Sequence, residues 1–274
     1  MRPARVKIAA SLSVLIAALP AVAAEFDSYG AAPAEFPEAT FQPDLIIELG
    51  LGTGYAPLYD GSSKYGPTFS PIIGLELLVI PGIIEIGGDE RQGGFSFAPA
   101  LSIAGERKSE DNVHLLGLPN IDATYAPGLR VGYEWGAAEI YGELRYAFGG
   151  AQGLLGDVGV NLTAQLTPEL EIVGGPVVSF ASENYMDTYF GVTAAGSAAT
   201  GGRLAAYDPT GGIKSAGLNL SARYEFMPDT FISANASYTR LMGSAADSPI
   251  VEKDAVNQFV VGIGLSRRFT LDLY

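Results

Sequence analysis

The chain has 274 residues, with 16 lysines and arginines against 30 aspartates and glutamates, one histidine and no cysteine. A chain this acidic does not bind nucleic acid through phosphate contacts, and the lack of cysteine excludes disulfides, a lipidated cysteine anchor and thiolate metal sites. Charged residues are only 17% of the chain and glycines number 35, whereas about a quarter of a soluble protein is usually charged. This composition favours a membrane β-barrel over a soluble β-sandwich.

The first 24 residues have the three parts of a secretory signal peptide. A basic start, MRPARVK, is followed by an apolar run at 8–19 and by the small residues PAVAA, which predict cleavage after Ala24. Removal of this leader leaves 13 basic against 30 acidic residues, a net charge of −17. Residues 25–43 are rich in proline and alanine and predict a flexible periplasmic segment. Residues 44–274 are assigned to an outer-membrane β-barrel.

Apolar and polar residues alternate along 121–148. In IDATYAPGLRVGYEW the odd positions are apolar or aromatic and the even positions are small or charged; the parity reverses after Gly136 and continues to Phe148. A period of two is that of a β-strand. About thirteen residues at 3.3 Å each, tilted by about 45°, rise about 30 Å, which is the thickness of the hydrocarbon core of a bilayer. We therefore predict two membrane-spanning strands, each with a lipid-facing and a lumen-facing side.

Eight further segments repeat this pattern, so the sequence predicts an all-β fold, a transmembrane antiparallel up-and-down β-barrel of about ten strands. The predicted strands are 44–55, 67–79, 94–104, 121–135, 136–148, 155–166, 169–181, 213–226, 230–241 and 257–269. Short strands within 80–93 and at 188–192 would give twelve. That alternative would break the alternation of loop lengths, so ten is preferred.

The connections alternate between tight turns and long polar loops. The turns fall at 134–137, 166–169 and 227–230, and the long loops at 56–66, 105–120, 182–212 and 242–256, with 149–153 a shorter member of the second set. Outer-membrane barrels have short turns in the periplasm and long loops outside. The spacing of the connections therefore predicts the orientation as well as the fold.

The polar face of the strands carries charges of both signs. In a barrel this narrow, that face points into a lumen that side chains largely fill, so these charges predict cross-strand ion pairs and not a selective ion path. The lumen charges singled out are Arg130, Glu139, Glu143, Arg145, Arg223 and Glu225. Trp135, at a tight turn, is interpreted as an interfacial anchor and not as a binding residue.

The sequence offers no catalytic constellation. A serine–histidine pair would have to use His114, the single histidine, which lies in the long loop at 105–120. The nucleophile motif G-x-S-x-G is absent, and a histidine metal site lacks ligands. We therefore predict that the protein is not an enzyme and has no cofactor or metal site.

The loops resemble those of the MipA/OmpV family of outer-membrane proteins. The resemblance is carried by YAPLYDGSSKYGPTFSPI, GERKSEDNVHLLGLPNIDA, YMDTYFGV, AAYDPTGGIK and YTRLMGSAADSPIVE, which occur in the family's order over about 44–269. One departure is the C-terminus: family members end on the strand-terminal Phe, here Phe269, whereas this chain continues to Tyr274. The candidate loop-motif residues are Tyr59, Asp60, Gly61, Ser62, Tyr185, Asp187, Tyr189, Phe190, Gly191, Asp247, Ser248 and Pro249.

The resemblance implies a barrel in the outer membrane of a Gram-negative bacterium, in contact with outer-membrane lipid. It also implies a scaffold in cell-envelope maintenance, whose periplasmic partners are a lytic transglycosylase and a murein synthase. It brings no catalytic residue. Residues 59–62 are interpreted as a turn with a polar tip and 185–192 as a loop folded back over the barrel mouth, in conformational roles more than in ligand contact. The alternative function is a small outer-membrane pore or solute channel; a narrow lumen with paired charges favours the scaffold.

Overall fold

Ten long strands form most of the described chain. The computed structural model describes residues 43–80, 84–87 and 94–273; the predicted leader and most of 25–43 lie outside these ranges. The strands are β1 (Leu45–Pro57), β2 (Tyr65–Ile80), β3 (Ile84–Gly87), β4 (Gly94–Ala104), β5 (Thr124–Trp135), β6 (Ala138–Gly149), β7 (Gly153–Thr167), β8 (Leu170–Ala181), β9 (Gly212–Met227), β10 (Thr230–Leu241) and β11 (Asn257–Leu271). All ten predicted strands are present.

The strands form one antiparallel sheet in the order β3-β2-β1-β11-β10-β9-β8-β7-β6-β5-β4. The first and last long strands pair, from Leu45 opposite Leu271 to Tyr55 opposite Val261, so the sheet curls into an up-and-down barrel. Within the described residues the two ends of the sheet, β2 with β3 on one side and β4 on the other, are not paired with each other. We call this place the seam.

The additional strand β3 is a short hairpin arm that does not span the barrel. Its four residues pair only with the last residues of β2, from Leu77 to Ile80. β3 and β4 run in the same direction, because strand direction alternates around the sheet. β3 has only four residues, so ten strands of barrel length remain. The second extra strand considered, at 188–192, is wrong: these residues lie in and just after the helix α1 (Glu183–Phe190).

The outward face of the barrel is apolar and unprotected. Leu51, Phe69, Leu129 and Ile263 are 68%, 84%, 66% and 63% exposed. A monomeric soluble protein rarely exposes a contiguous apolar patch larger than a few hundred Å², so this belt is the surface of a protein surrounded by lipid. A strand of 12 residues such as β5 rises about 28 Å at a tilt of 45°, close to the depth of the hydrocarbon core. In the described part of the chain no helix is long and apolar enough to cross a membrane.

The two ends of the barrel differ. At the turn end, β5–β6, β7–β8 and β9–β10 are joined by two residues each, 136–137, 168–169 and 228–229, and Gly136 adopts the positive φ of 62° that its turn requires. At the loop end lie the long connections with α1, α2 (Ala194–Ala199) and α3 (Gly243–Ala246). Ile121 and Asp122 precede β5 at this end, so the predicted strand 121–135 begins three residues too early.

Candidate functional site: a capped barrel lumen

Helix α1 closes the loop end of the barrel. Met186 and Phe190 are completely buried, and Tyr185 and Tyr189 nearly so. They pack in one cluster with inward residues at the ends of five strands and with α3, namely Ala126, Ala147, Leu155, Ala181, Leu241 and Ala245. The segment 185–192 therefore lies over the barrel mouth, with 185–190 in a helix and not in the loop that was predicted. We call this helix, together with the loops packed on it, the cap.

A second apolar cluster joins the other loops to the cap. It contains Tyr59, Leu115, Leu118, Val192, Leu204 and Ile250. The turn at 59–62 is closed by the N–H of Ser62, which donates to the carbonyl of Tyr59 over 2.9 Å. Gly61 has φ +95°, and a Cβ there would lie 2.6 Å from Val251. Residues 59–62 thus form a turn, in which Tyr59, Gly61 and Ser62 are buried in the cap while the carboxylate of Asp60 at the tip stays partly exposed.

Glu252 accepts hydrogen bonds from two other loops. Its Oε1 accepts from the hydroxyl of Tyr59 at 2.9 Å and from Nδ2 of Asn112 at 2.8 Å, and its Oε2 accepts from the hydroxyl of Ser63 at 2.5 Å. Burial raises the pKa of Glu252, but the bonds from Ser63, Tyr59 and Asn112 outweigh it, and the pKa lies below its ordinary value. The ionised carboxylate thus ties the loops 58–64 and 105–123 to the loop 242–256.

Two cations complete the cap, the buried Arg107 and the partly buried Lys214. Lys214 Nζ lies 2.9 Å from Oδ2 of Asp60, so the start of β9 is tied to the 59–62 turn. The guanidinium of Arg107 donates to the backbone carbonyl of Tyr189 over 2.7 Å and lies 5.9 Å from the centroid of the Tyr189 ring. Burial lowers the pKa of Arg107. Arg107, Lys214 and Glu252 were not predicted as site residues, because single charges in loops give no sequence signal for the contact they make.

The remaining loop-motif residues divide between the inside and the outside of the cap. The buried Ser248 donates from its hydroxyl to the carbonyl of Phe190 over 2.6 Å, and the carbonyl of Pro249 lies 3.0 Å from Nε2 of His114. Gly191 ends α1, with its N–H donating to the carbonyl of Asp187. The side chains of Asp187 and Asp247 are exposed. Most of the motif residues therefore hold the cap together.

A cluster of charges crosses the lumen near β1 and β2. Arg223 of β9 pairs with Glu48 of β1 and, at 3.0 Å, with Glu76 of β2. Arg268 of β11 lies 2.6 Å from the same Glu76. Both guanidinium groups stack on the ring of Phe231, 3.5 and 4.8 Å from its centroid. Because β9 is separated from β1 by two strands, these contacts bridge strands that are not neighbours in the wall.

A second group lies on β5 and β6. Arg130 donates to Glu139 over 2.6 Å and lies over the ring of Tyr141, 3.6 Å from its centroid. Asn161 of β7 donates to the same oxygen of Glu139 at 2.9 Å.

The third group lies nearer the cap. Arg145 is 3.0 Å from Glu143 and also pairs with Asp157, which in turn accepts a hydrogen bond from Ser179. The predicted lumen charges therefore face inward, and the arginines among them are in ion pairs.

The lumen between these clusters holds a cavity of about 1530 Å³. It reaches the turn end, where Gly136, Ala137, Pro168 and Glu169 line it, whereas no residue of α1 or of the two cap clusters does. Four of its glutamates form no ion pair among the described residues: Glu134, Glu169, Glu171 and Glu225. The cavity also extends to the seam, where Phe69, Leu101 and Ile103 line it, and it is open and acidic at the turn end.

No catalytic arrangement is formed around His114. Its ring faces a backbone carbonyl and not a nucleophile. In residues 43–80, 84–87 and 94–273, no group of three or more histidine, cysteine or carboxylate side chains is placed to hold a metal ion. What the site provides is a rigid closure at one end and a charged, open recess at the other.

The family model described as MltA-interacting protein MipA matches residues 49–269. The match extends from β1 to β11 and includes both the cap and the lumen. The chain belongs to the MipA family. The predicted family membership is confirmed, and this MipA-family chain is a β-barrel protein of the Gram-negative outer membrane, as predicted.

Two relatives, the proteins named MltA-interacting protein in Escherichia coli (strain K12) and Shigella flexneri, are each 37% identical over 94 residues. The matched stretch is 34% of this chain and 37% of each relative, so the alignment spans little more than a third of their length. Their name states what they interact with and does not by itself assign that partner here.

Three solved barrels resemble this MipA-family chain only remotely. The NanC porin has 9% identity and a TM-score of 0.33, covering 81% of this chain and 98% of that one. OprG from Pseudomonas aeruginosa has 12% identity and a TM-score of 0.29, covering 83% and 97%. OmpT of Vibrio cholerae has 10% identity and a TM-score of 0.31, covering 82% and 97%. At these values the likenesses say nothing about function.

Proposed function

We propose that this protein is an outer-membrane scaffold that holds a murein enzyme, a lytic transglycosylase of the MltA type, at its periplasmic end. The observation that carries the proposal is the asymmetry of the barrel: the loop end is shut by a packed cap, whereas the turn end opens into a charged cavity. In outer-membrane barrels the short turns face the periplasm. The name of the relatives, MltA-interacting protein, supports this class of partner.

The surfaces that we assign to the partner are the turns around Trp135, Pro168 and Pro228 and the segment 25–43. The exported chain would begin at Glu25, after cleavage of the 1–24 leader, so that 25–43 would precede β1, which begins at the turn end. A murein synthase held beside the transglycosylase is the second partner that the family resemblance implies. We assign the protein no catalytic activity of its own, since its single histidine is held by a backbone carbonyl.

The test is capture of purified lytic transglycosylase and murein synthase by the protein in lipid nanodiscs. Deleting 25–43, or replacing the turns at 136–137, 168–169 and 228–229 by Asn-Gly, should weaken capture at least tenfold while the barrel still assembles. N-terminal sequencing of the exported protein should begin at Glu25. Assembly is read from the change of electrophoretic mobility on boiling, since a barrel resists detergent until it is heated.

The matched control shortens the long loop at 193–212, which lies at the loop end. Capture should survive this change. Equal loss of capture from loop and turn variants, or no capture by the intact protein, would contradict the scaffold.

A second function, a small diffusion pore, is favoured by one observation, the size and polarity of the cavity. A pore must conduct through both ends, so single-channel recording in a planar bilayer separates the two functions. The scaffold predicts no steady conductance from the intact protein. Steady conductance without retained murein enzymes would move the assignment to transport.

A further inference from the structure

The charges that line the cavity do not balance. Each of its arginines is already in an ion pair: Arg130 with Glu139, Arg223 with Glu48 and Glu76, and Arg268 with Glu76 and Asp229. Glu134, Glu169, Glu171 and Glu225 line the same cavity without such a partner among the described residues. Oε1 of Glu225 accepts the N–H of Asp229 over 2.8 Å, and Oε2 of Glu169 accepts the hydroxyl of Thr167 over 2.9 Å; neither bond neutralises the carboxylate. The cavity therefore carries excess negative charge.

The excess is concentrated at the open end. Glu134 precedes the last residue of β5, Glu169 lies in the β7–β8 turn, Glu171 is the second residue of β8 and Glu225 lies two residues before the end of β9. These positions are all near the turn end, along the part of the wall that runs from β5 to β9. A recess lined by one sign of charge with low-dielectric walls focuses the field and concentrates ions of the opposite sign.

The cavity is larger than a small-molecule site and reaches water at the turn end. Pockets for drug-sized ligands are about 300–1,000 Å³, whereas this one is about 1530 Å³. A chain segment several residues long fits this space, and the turn end gives it a way in from the periplasm. Both the charge and the shape suit an extended basic peptide.

We propose that the cavity receives a lysine- or arginine-rich segment of the periplasmic partner, and that the four unpaired glutamates attract and hold it. The inference rests on the proposed function for the identity of the partner, but the acceptance of a basic segment is a separate property of the barrel. The segment would insert into the lumen from the periplasm, through the turn end.

The absence of cysteine from the chain allows a direct test. Gln165→Cys places a single thiol in the cavity wall, and Val113→Cys places one on the outer surface of the cap. At low salt a cationic methanethiosulfonate should label the Gln165→Cys protein at least tenfold faster than an anionic one. Val113→Cys should show a much smaller ratio. An equal ratio at both sites would overturn the proposal.

The second arm uses peptides. A twelve-residue peptide alternating lysine and glycine should protect the Gln165→Cys thiol from labelling, and one alternating glutamate and glycine should not. The factor by which the basic peptide slows labelling should fall at least tenfold in 0.5 M salt and in the variant Glu134→Gln, Glu169→Gln, Glu171→Gln, Glu225→Gln. The matched control is Glu106→Gln, Glu110→Gln, Glu183→Gln, Asp208→Asn, which removes four exposed charges at the loop end. In this control the peptide should protect the thiol as it does in the unchanged protein.

Each outcome bears on the inference. Protection that survives the fourfold variant overturns it, and so does equal protection by spermine at the same total charge, which would assign the site to small cations. If the fourfold variant fails to assemble, Glu171→Gln alone and the salt dependence of the unchanged protein decide. Capture of the transglycosylase without protection by the basic peptide would refute the binding of a basic segment in the cavity but would leave the scaffold function. Protection without capture would refute the scaffold function but would leave the binding of a basic segment.

Discussion

Leu144 lies outward on β6, opposite Leu129 of β5, and faces lipid near the middle of the strand. Changing Leu144 to Arg should lower the free energy of unfolding by about 2–4 kcal/mol, because a charge at the bilayer midplane has no water or counterion. The measurement is urea unfolding of the protein in lipid vesicles. Ser221→Arg, whose side chain points into the lumen, is the control and should have a smaller effect. Equal costs on the two faces would contradict a barrel that lipid surrounds on one side only.

Glu252 makes the stability of the cap depend on pH. Its folded pKa lies below the ordinary value of 4.5, so its hydrogen bonds stabilise the cap fully above that value. The stabilisation is lost as the pH falls through the folded pKa. A fluorophore on Val113→Cys should therefore report cap unfolding at less urea at pH 3.5 than at pH 7.

The variant Glu252→Gln should reduce this difference between the two pH values. Asp187→Asn is the control, because burial and the neighbouring Asp208 and Glu183 raise the pKa of Asp187. A carboxyl group whose pKa is raised in the folded state destabilises the cap at neutral pH and not at acid pH. The Asp187→Asn variant should therefore keep the loss of cap stability at pH 3.5. A cap equally stable at both pH values would show that Glu252 does not hold it.

At the scale of elements, helix α1 is the part that seals the barrel. Replacing 183–211 by a short glycine–serine linker should produce steady single-channel conductance, because the cap cluster at the ends of β5, β6, β7, β8 and β10 loses its centre. Replacing only α2 with its following turn, 194–203, should leave the barrel closed, since α1 stays in place. If the α1 deletion conducts no more than the intact protein, the paired charges of the lumen and not the cap close the path.

The strands could be predicted from the sequence and α1 could not, for a physical reason. Alternation is a local property, imposed on each strand by lipid on one side and lumen on the other, so it is visible in any ten residues. The segment TYFGV has the aromatic and β-branched residues of a strand. Its first three residues are helical because Tyr185, Met186, Tyr189 and Phe190 meet inward residues of five strands, four of which are distant in sequence.

The candidate site was predictable to a similar, limited depth. Inward charges follow from the parity of a strand, so the positions of Arg130, Glu139 and Arg223 could be anticipated. Their partners could not, since Arg223 meets Glu76 from 147 residues away. The burial of the loop motifs depends in the same way on how the loops fold together over the mouth.

For the molecule as a whole, the seam between β2 and β4 is the place where we expect the barrel wall to move most. The long-range pairing of β1 with β11 joins the two chain ends, whereas β2 and β4 are separated by only 81–93. Because β2 and β4 are not paired with each other, movement of these two strands apart leaves the most distant contacts intact, and the short connection between them adds little chain entropy. Pro67, Pro71 and Pro99 lie in these strands, and proline is tolerated in a sheet where its missing N–H has no partner to serve. In hydrogen–deuterium exchange, the remaining amides of β2 and β4 should exchange faster than those of β7 and β8. Exchange that is equally slow in all four strands would mean that β2 and β4 are as stably hydrogen-bonded as β7 and β8, and that the wall does not move preferentially at the seam.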